Sequence, residues 1–261
     1  MPRIEYNHAM HPRIVPPTGP RATPGRTCAA ARAPRRPGWL VPLALFALGL
    51  SVALAATQGL GFSRSVTPGL VERYAGKFGP GAKTRISGWQ EFVRAIPAER
   101  RLSGNELELL GSVNTFFNRL PFVTDLAQWG VEDYWASPAE ALASNGADCE
   151  DFTIAKYFTL KELGVPIRRL RLTYVKALSL NQAHMVLAYY PEPNAVPLIL
   201  DNLINEVKPA SERPDLIPVY SFNDDDLLIV RQGQRDVSAG SSSQIRLWRA
   251  LLEKLENELQ Y

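Results

Sequence analysis

The sequence predicts an α+β fold, helices first and antiparallel strands afterwards. Apolar residues recur at helical spacing as far as Leu163, and from Leu170 they alternate with polar ones. Gly164-Val165-Pro166 stands where the period changes.

At 261 residues the chain can hold one domain with a well-buried core, plus some extra. The formal charge is +3, but seven arginines and a single acid lie within residues 1–55. The remainder carries 22 Lys/Arg against 25 Asp/Glu, so the basic balance marks a leader and not a nucleic-acid surface.

The chain divides into residues 1–56, a basic leader plus signal peptide or signal anchor, and residues 57–261, the folded domain. Met1 to Gly38 is rich in Arg and Pro without apolar periodicity, and reads as disordered in isolation. Trp39 to Ala56 is apolar and uncharged, with small residues at Ala53-Leu54-Ala55 that suit a signal peptidase. Whether that stretch is cleaved or retained, Arg35 and Arg36 stay cytoplasmic and the domain after residue 56 is exported to the periplasm. Met10 is an alternative start. Cys28 falls in the leader without a lipobox, which leaves Cys149 as the single thiol of the exported part. No internal disulfide can then brace the domain, and a lone thiol in an oxidising compartment is a candidate reactive residue.

Val71 to Phe78 and Trp89 to Ile96 read as short helices separated by Gly79-Pro80-Gly81. Ser103 and Glu106 form a capping box for a helix from Asn105 to Leu120, with Leu107, Leu110, Val113 or Asn114, and Phe117 along one stripe. Asp125 to Tyr134 reads as loop, with Trp129 and Trp135 as core. Ser137-Pro138-Ala139-Glu140 caps a short helix that Asn145-Gly146 stops. The next helix, Asp148 to Leu163, is apolar on most sides and should be central. Strands are expected at Leu170 to Tyr174, Ala183 to Tyr190, Leu198 to Asp201, Ile217 to Phe222 and Leu227 to Val230. Gly233 to Ser243 reads as a polar linker, and Gln244 to Tyr261 as an amphipathic helix with Ile245, Trp248, Leu251, Leu252, Leu255 and Leu259 on one side.

The stretch Asn145-Gly146-Ala147-Asp148-Cys149-Glu150-Asp151-Phe152 places the thiol in a helix's first turn, where unpaired N–H groups and the macrodipole favour thiolate. Attack on a carbonyl also needs an imidazole to carry the proton and a third group to orient it. His184, the one histidine of the exported part, and Asp201, on the strand after it, meet those needs if their strands are antiparallel neighbours. Asp148, Glu150 and Asp151 suit a helix start, yet beside a cysteine they oppose thiolate formation. A hard divalent cation with oxygen ligands, calcium outside the cytoplasm, would offset them.

Asn145 to Phe152, followed by Ala155-Lys156-Tyr157, Ala183-His184-Met185-Val186-Leu187 and Leu200-Asp201-Asn202, resembles the bacterial transglutaminase-like cysteine proteinases over roughly Trp89 to Val230. The resemblance implies a papain-like or transglutaminase-like fold, N-terminal helices on an antiparallel sheet, with Cys149 as nucleophile, His184 as general base and acid, and Asp201 as its orienter. It implies calcium at the start of the Cys helix, held by Asp148, Glu150 and Asp151. It further implies a protein substrate, a large surface adhesin cut in its N-terminal region beside paired alanines, and control by an inner-membrane cyclic-di-GMP receptor. Two other readings remain open on these residues: a transglutaminase or cell-wall amidase, and a non-catalytic binding module.

Overall fold

In the computed structural model, the described residues are 63, 66–97, 106–230 and 236–260. The leader, Cys28 and the expected Ser103 cap lie outside them. Among the described residues no helix is long and apolar enough to cross a membrane.

Helix α1 spans Pro68–Phe78, three residues earlier than expected, because Thr67 accepts the Leu70 N–H and Pro68 opens the first turn. Helix α2, Gly81–Ala95, runs through the stretch before Trp89 that had no expected element. Helix α3 is Glu106–Phe117 and buries Leu109, Leu110, Val113, Asn114 and Phe117. Leu107, expected in that stripe, is instead 56% exposed. The expected loop after Asp125 contains a short helix, α4 (Asp125–Trp129), which Thr124 caps at its start and Gly130 ends at φ 73°. Helix α5, Pro138–Ser144, has the full capping box of Ser137 and Glu140. Helix α6, Cys149–Glu162, is buried continuously from Cys149 to Leu160, as expected of a central helix.

The sheet is built from β1 (Leu170–Ala177), β2 (Gln182–Tyr189), β3 (Leu198–Leu200), β4 (Lys208–Pro209), β5 (Leu216–Phe222), β6 (Asp226–Ile229) and β7 (Val237–Ser241). These strands are antiparallel throughout, in the order β4-β3-β2-β1-β5-β6-β7. Strand β7 lies within the expected linker. Its Val-Ser-Ala-Gly-Ser run has no large apolar residue beyond Val237, and it becomes a strand by pairing with β6 at the sheet edge.

Leu170, Leu172, Tyr174, Met185, Leu187 and Tyr189 pack with the helices in the main core. Val175, Ala177, Val186, Ala188, Ile199 and Leu216 form a second cluster. Helix α7, Arg246–Glu258, presses Trp248 against Phe158, Tyr157 and Phe222, at ring separations of 5.8, 5.9 and 5.3 Å. Leu259, expected on that buried side, is 45% exposed. Trp135 is core, stacked on Phe222 at 5.9 Å.

Candidate active site

Cys149 is the first residue of α6 and is 7% exposed. Its neighbours are set by a tether between distant segments. Phe122 and Ala147 form a parallel bridge, and Val123 N–H donates to Ala147 O at 2.9 Å while Ala147 N–H donates to Pro121 O at 3.2 Å. Gly146 permits this approach: a Cβ there would lie 2.9 Å from Val123 and 2.7 Å from Gln128 Oε1. The tether delivers Asp125, at the start of α4, to the side of Asp148.

On the other side, α6 is fastened to β2. The Thr153 hydroxyl lies 2.8 Å from Cys149 O and 3.0 Å from Met185 O, one O–H shared between two carbonyls. Met185 follows His184 directly. His184 is 3% exposed, and its Nε2 lies 2.8 Å from Oδ1 of the fully buried Asp201. Strands β2 and β3 are the expected antiparallel neighbours, and Asp201 sits one residue beyond β3. Helix α3 and the residue just past it hold the loop that follows Asp201: Asn118 Nδ2 donates to Asp201 O at 2.8 Å, and Asn114 Nδ2 donates to Ile204 O at 3.1 Å.

The structure thus joins His184 to Asp201 directly, and brings Cys149 beside the residue that follows His184. The thiol itself donates to Glu150 Oε2 at 2.8 Å. Burial pushes the Cys149 thiol well up, the charges of Glu150 and Asp148 add to that, and the Met185 N–H works against it. Asp201 moves the other way. Burial raises it, but the bond and charge of His184, the Leu203 N–H and Arg213 together hold it well below the usual carboxylate range.

The acidic residues form a cluster of a different membership from the sequence expectation. Asp125, Asp148 and Glu150 each offer an oxygen within 4.8 Å of the others, and all three are buried. Asp148 caps α6 by position only, its side chain making no cap hydrogen bond. Both of its oxygens, with Asp125 Oδ1, Asp133 Oδ1 and Glu150 Oε1, are buried without a hydrogen-bond partner among the described residues. Asp151 lies outside this group: its Oδ1 accepts the Ala136 N–H at 2.7 Å, so it ties the 133–136 segment to α6. Lys254 of α7 holds the same segment, donating to Trp135 O at 2.8 Å and Glu140 Oε2 at 2.7 Å. Sequence reading missed Asp125 and Asp133. The only signal was the acidic pair Glu132-Asp133 in a Trp-rich stretch, eight residues past a Thr-Asp helix start.

Buried carboxyl oxygens without donors, from several segments, are costly as anions and fit a hard cation. Burial, followed by the neighbouring charges, pushes Asp125 up to about 7 and Asp133 up to about 6, and raises Asp148 and Asp151 as well. Folded-state affinity for protons above that of the unfolded chain means stability falls as pH rises from the ordinary carboxylate range through about 7. We therefore expect the midpoint of thermal unfolding in chelator to drop between about pH 4 and pH 7. Saturating calcium should flatten that slope, and calorimetry across the range checks both.

A thiol at the head of a central helix, packed on an antiparallel sheet that carries a buried imidazole–carboxylate pair, is the architecture of transglutaminase-like thiol enzymes. The model of the family described as bacterial transglutaminase-like cysteine proteinase matches residues 91–215. Legionella pneumophila LapG, in an EGTA-treated structure, is 39% identical and superposes with a TM-score of 0.59, covering 71% of this chain and 95% of that one. A calcium-bound structure of the same Legionella protein gives 39% identity and a TM-score of 0.57, over 71% and 97%. No curated protein matches the chain. The chain belongs to the bacterial transglutaminase-like cysteine proteinases and is a cysteine protease.

Proposed function

We propose that the protein is a calcium-dependent periplasmic cysteine endopeptidase working through Cys149, His184 and Asp201, which releases a large surface adhesin by cutting its N-terminal region. The observation that carries the catalytic reading is the buried His184–Asp201 pair at 2.8 Å on the strand fastened to the start of the Cys149 helix. With Nε2 on Asp201, the His184 ring keeps Nδ1 for the reaction. Nδ1 takes the thiol proton, and the Cys149 sulfur attacks the scissile carbonyl carbon. The Cys149 backbone N–H, at the open end of α6, stabilises the oxyanion. His184 then gives its proton to the leaving amine, and a thioester remains on Cys149. Water, deprotonated by His184, hydrolyses that thioester and restores the thiol.

Asp125, Asp148 and Glu150 would hold the cation. When bound, calcium supplies positive charge that offsets the carboxylates around the sulfur. The calcium-bound state of the Legionella protein supports calcium as the cation. The leader supports export, and control by a cyclic-di-GMP receptor at the inner membrane is the regulatory part of the proposal.

The test is incubation of the N-terminal region of a large adhesin carrying paired alanines with the wild-type protein and with Cys149→Ala, in calcium and in chelator. A single cut beside the alanines by wild type in calcium alone is the expected result. Cross-linking to an added amine without cleavage would point to a transferase and refute the proposal.

A further inference from the structure

The carboxylate of Asp201 is held from its far side as well. Arg213 is 6% exposed, and its Nη2 donates to Asp201 Oδ2 at 2.8 Å. The same Nη2 donates to Asp215 Oδ2 at 2.8 Å, and Nε donates to Asp215 Oδ1 at 3.0 Å. Oδ1 of Asp201 meanwhile faces His184 and accepts the Leu203 N–H at 3.0 Å. Both oxygens are therefore engaged, and turning the carboxylate would break contacts at both. The guanidinium is fixed too. Its residue comes directly after the short helical turn Ala210–Glu212, with Arg213 N–H donating to Ala210 O at 3.1 Å, and Asp215 O accepts the Leu178 N–H at 2.8 Å just past β1.

We propose that Arg213, braced by Asp215, is a positioning residue of this protease, locking the Asp201 carboxylate in the orientation that presents Oδ1 to His184. The proposal rests on the Cys-His-Asp reading above. Its physical basis is the planar fork of a guanidinium, which can engage two carboxylates at fixed angles where an ammonium cannot. Without that partner, Oδ2 of the fully buried carboxylate would lose its donor, Oδ1 alone would be held, by His184 and the Leu203 N–H, and the charge would face His184, Asp215 and, farther off, the buried Lys156 of α6. His184, Arg213, Lys156 and Asp215 are the charged or titratable groups around Asp201 on the elements packed against it. Misaligned, the imidazole no longer accepts the thiol proton efficiently.

The experiment is the rate of iodoacetamide alkylation of Cys149 at one fixed pH, 6, in the full chain carrying Cys28→Ser, with calcium. Wild type should react at least about tenfold faster than His184→Ala, which has no imidazole to take the thiol proton. Arg213→Gln should lose about tenfold of the wild-type rate, Arg213→Lys should fall between the two, and Asp215→Asn should lose a smaller part. In the His184→Ala background Arg213→Gln should slow the thiol no further, a result that a merely structural role would not give. Thermal unfolding and near-UV circular dichroism on each variant separate misfolding from misalignment. Should Arg213→Gln fail to fold, Arg213→Lys and Asp215→Asn decide the matter, since both must lower the rate. Variant rates equal to that of wild type overturn the proposal. Failure of the triad reading looks different: wild type would then match His184→Ala.

Discussion

Replacing Cys149 with alanine is expected to lower cleavage of the proposed adhesin substrate at least about 10⁴-fold with little change in the folded structure. The thiol is buried and small, and alanine fills nearly the same space at the first position of α6. His184→Ala should cost as much, because without the imidazole the sulfur keeps its proton under the influence of burial and Glu150. Asp201→Asn should cost about 10³-fold or more, since an amide at Oδ1 presents the wrong partner to the ring nitrogen. Groups that act as one unit are not additive, so Cys149→Ala combined with His184→Ala should be no slower than either alone. Steady-state kinetics on the four variants provide the check. Additive losses would mean that the residues act separately.

Calcium should raise the midpoint of thermal unfolding and restore activity after chelation. A ligand at 100 times its dissociation constant contributes about 2.7 kcal/mol by mass action, or roughly 5–10 °C for a domain of this size. Asp125→Asn and Asp148→Asn should each lose most of that shift, since each removes one of three converging carboxylates. Asp151→Asn should keep most of it, because the Asp151 carboxylate is engaged by the Ala136 N–H. Glu150→Gln makes a sharper case. It should lose the calcium shift, yet in chelator its Cys149 should alkylate faster than wild type, because the charge that raises the thiol is gone. Differential scanning fluorimetry and alkylation rates measure the two halves independently. A calcium shift undiminished in Asp148→Asn would place the ion elsewhere.

Where local chemistry decides, the sequence was a sufficient guide. The capping box at Ser137, the buried α6 and the antiparallel pairing of β2 with β3 are each written in a short run of residues. So is the meeting of His184 and Asp201, since two strands with a Pro-rich turn between them can hardly avoid it. Asp125 was out of reach for the opposite reason. It reaches Asp148 through the Phe122–Ala147 bridge and the clearance at Gly146, a tertiary event with no spacing of its own. Arg213 likewise touches Asp201 only because β4 and β5 bring it back across the sheet. In α3 the expected stripe is buried at Leu110, Val113, Asn114 and Phe117, and it differs only at its first position, where packing buries Leu109 and leaves Leu107 exposed. Strand β7 depends on its partner for its existence.

The central claim is that His184 makes the sulfur of Cys149 nucleophilic. It is tested most directly by iodoacetamide alkylation at pH 6, with calcium, of wild type and His184→Ala in the Cys28→Ser background. Wild type should react at least about tenfold faster. Equal rates, both as slow as a buried neutral thiol, would contradict the account.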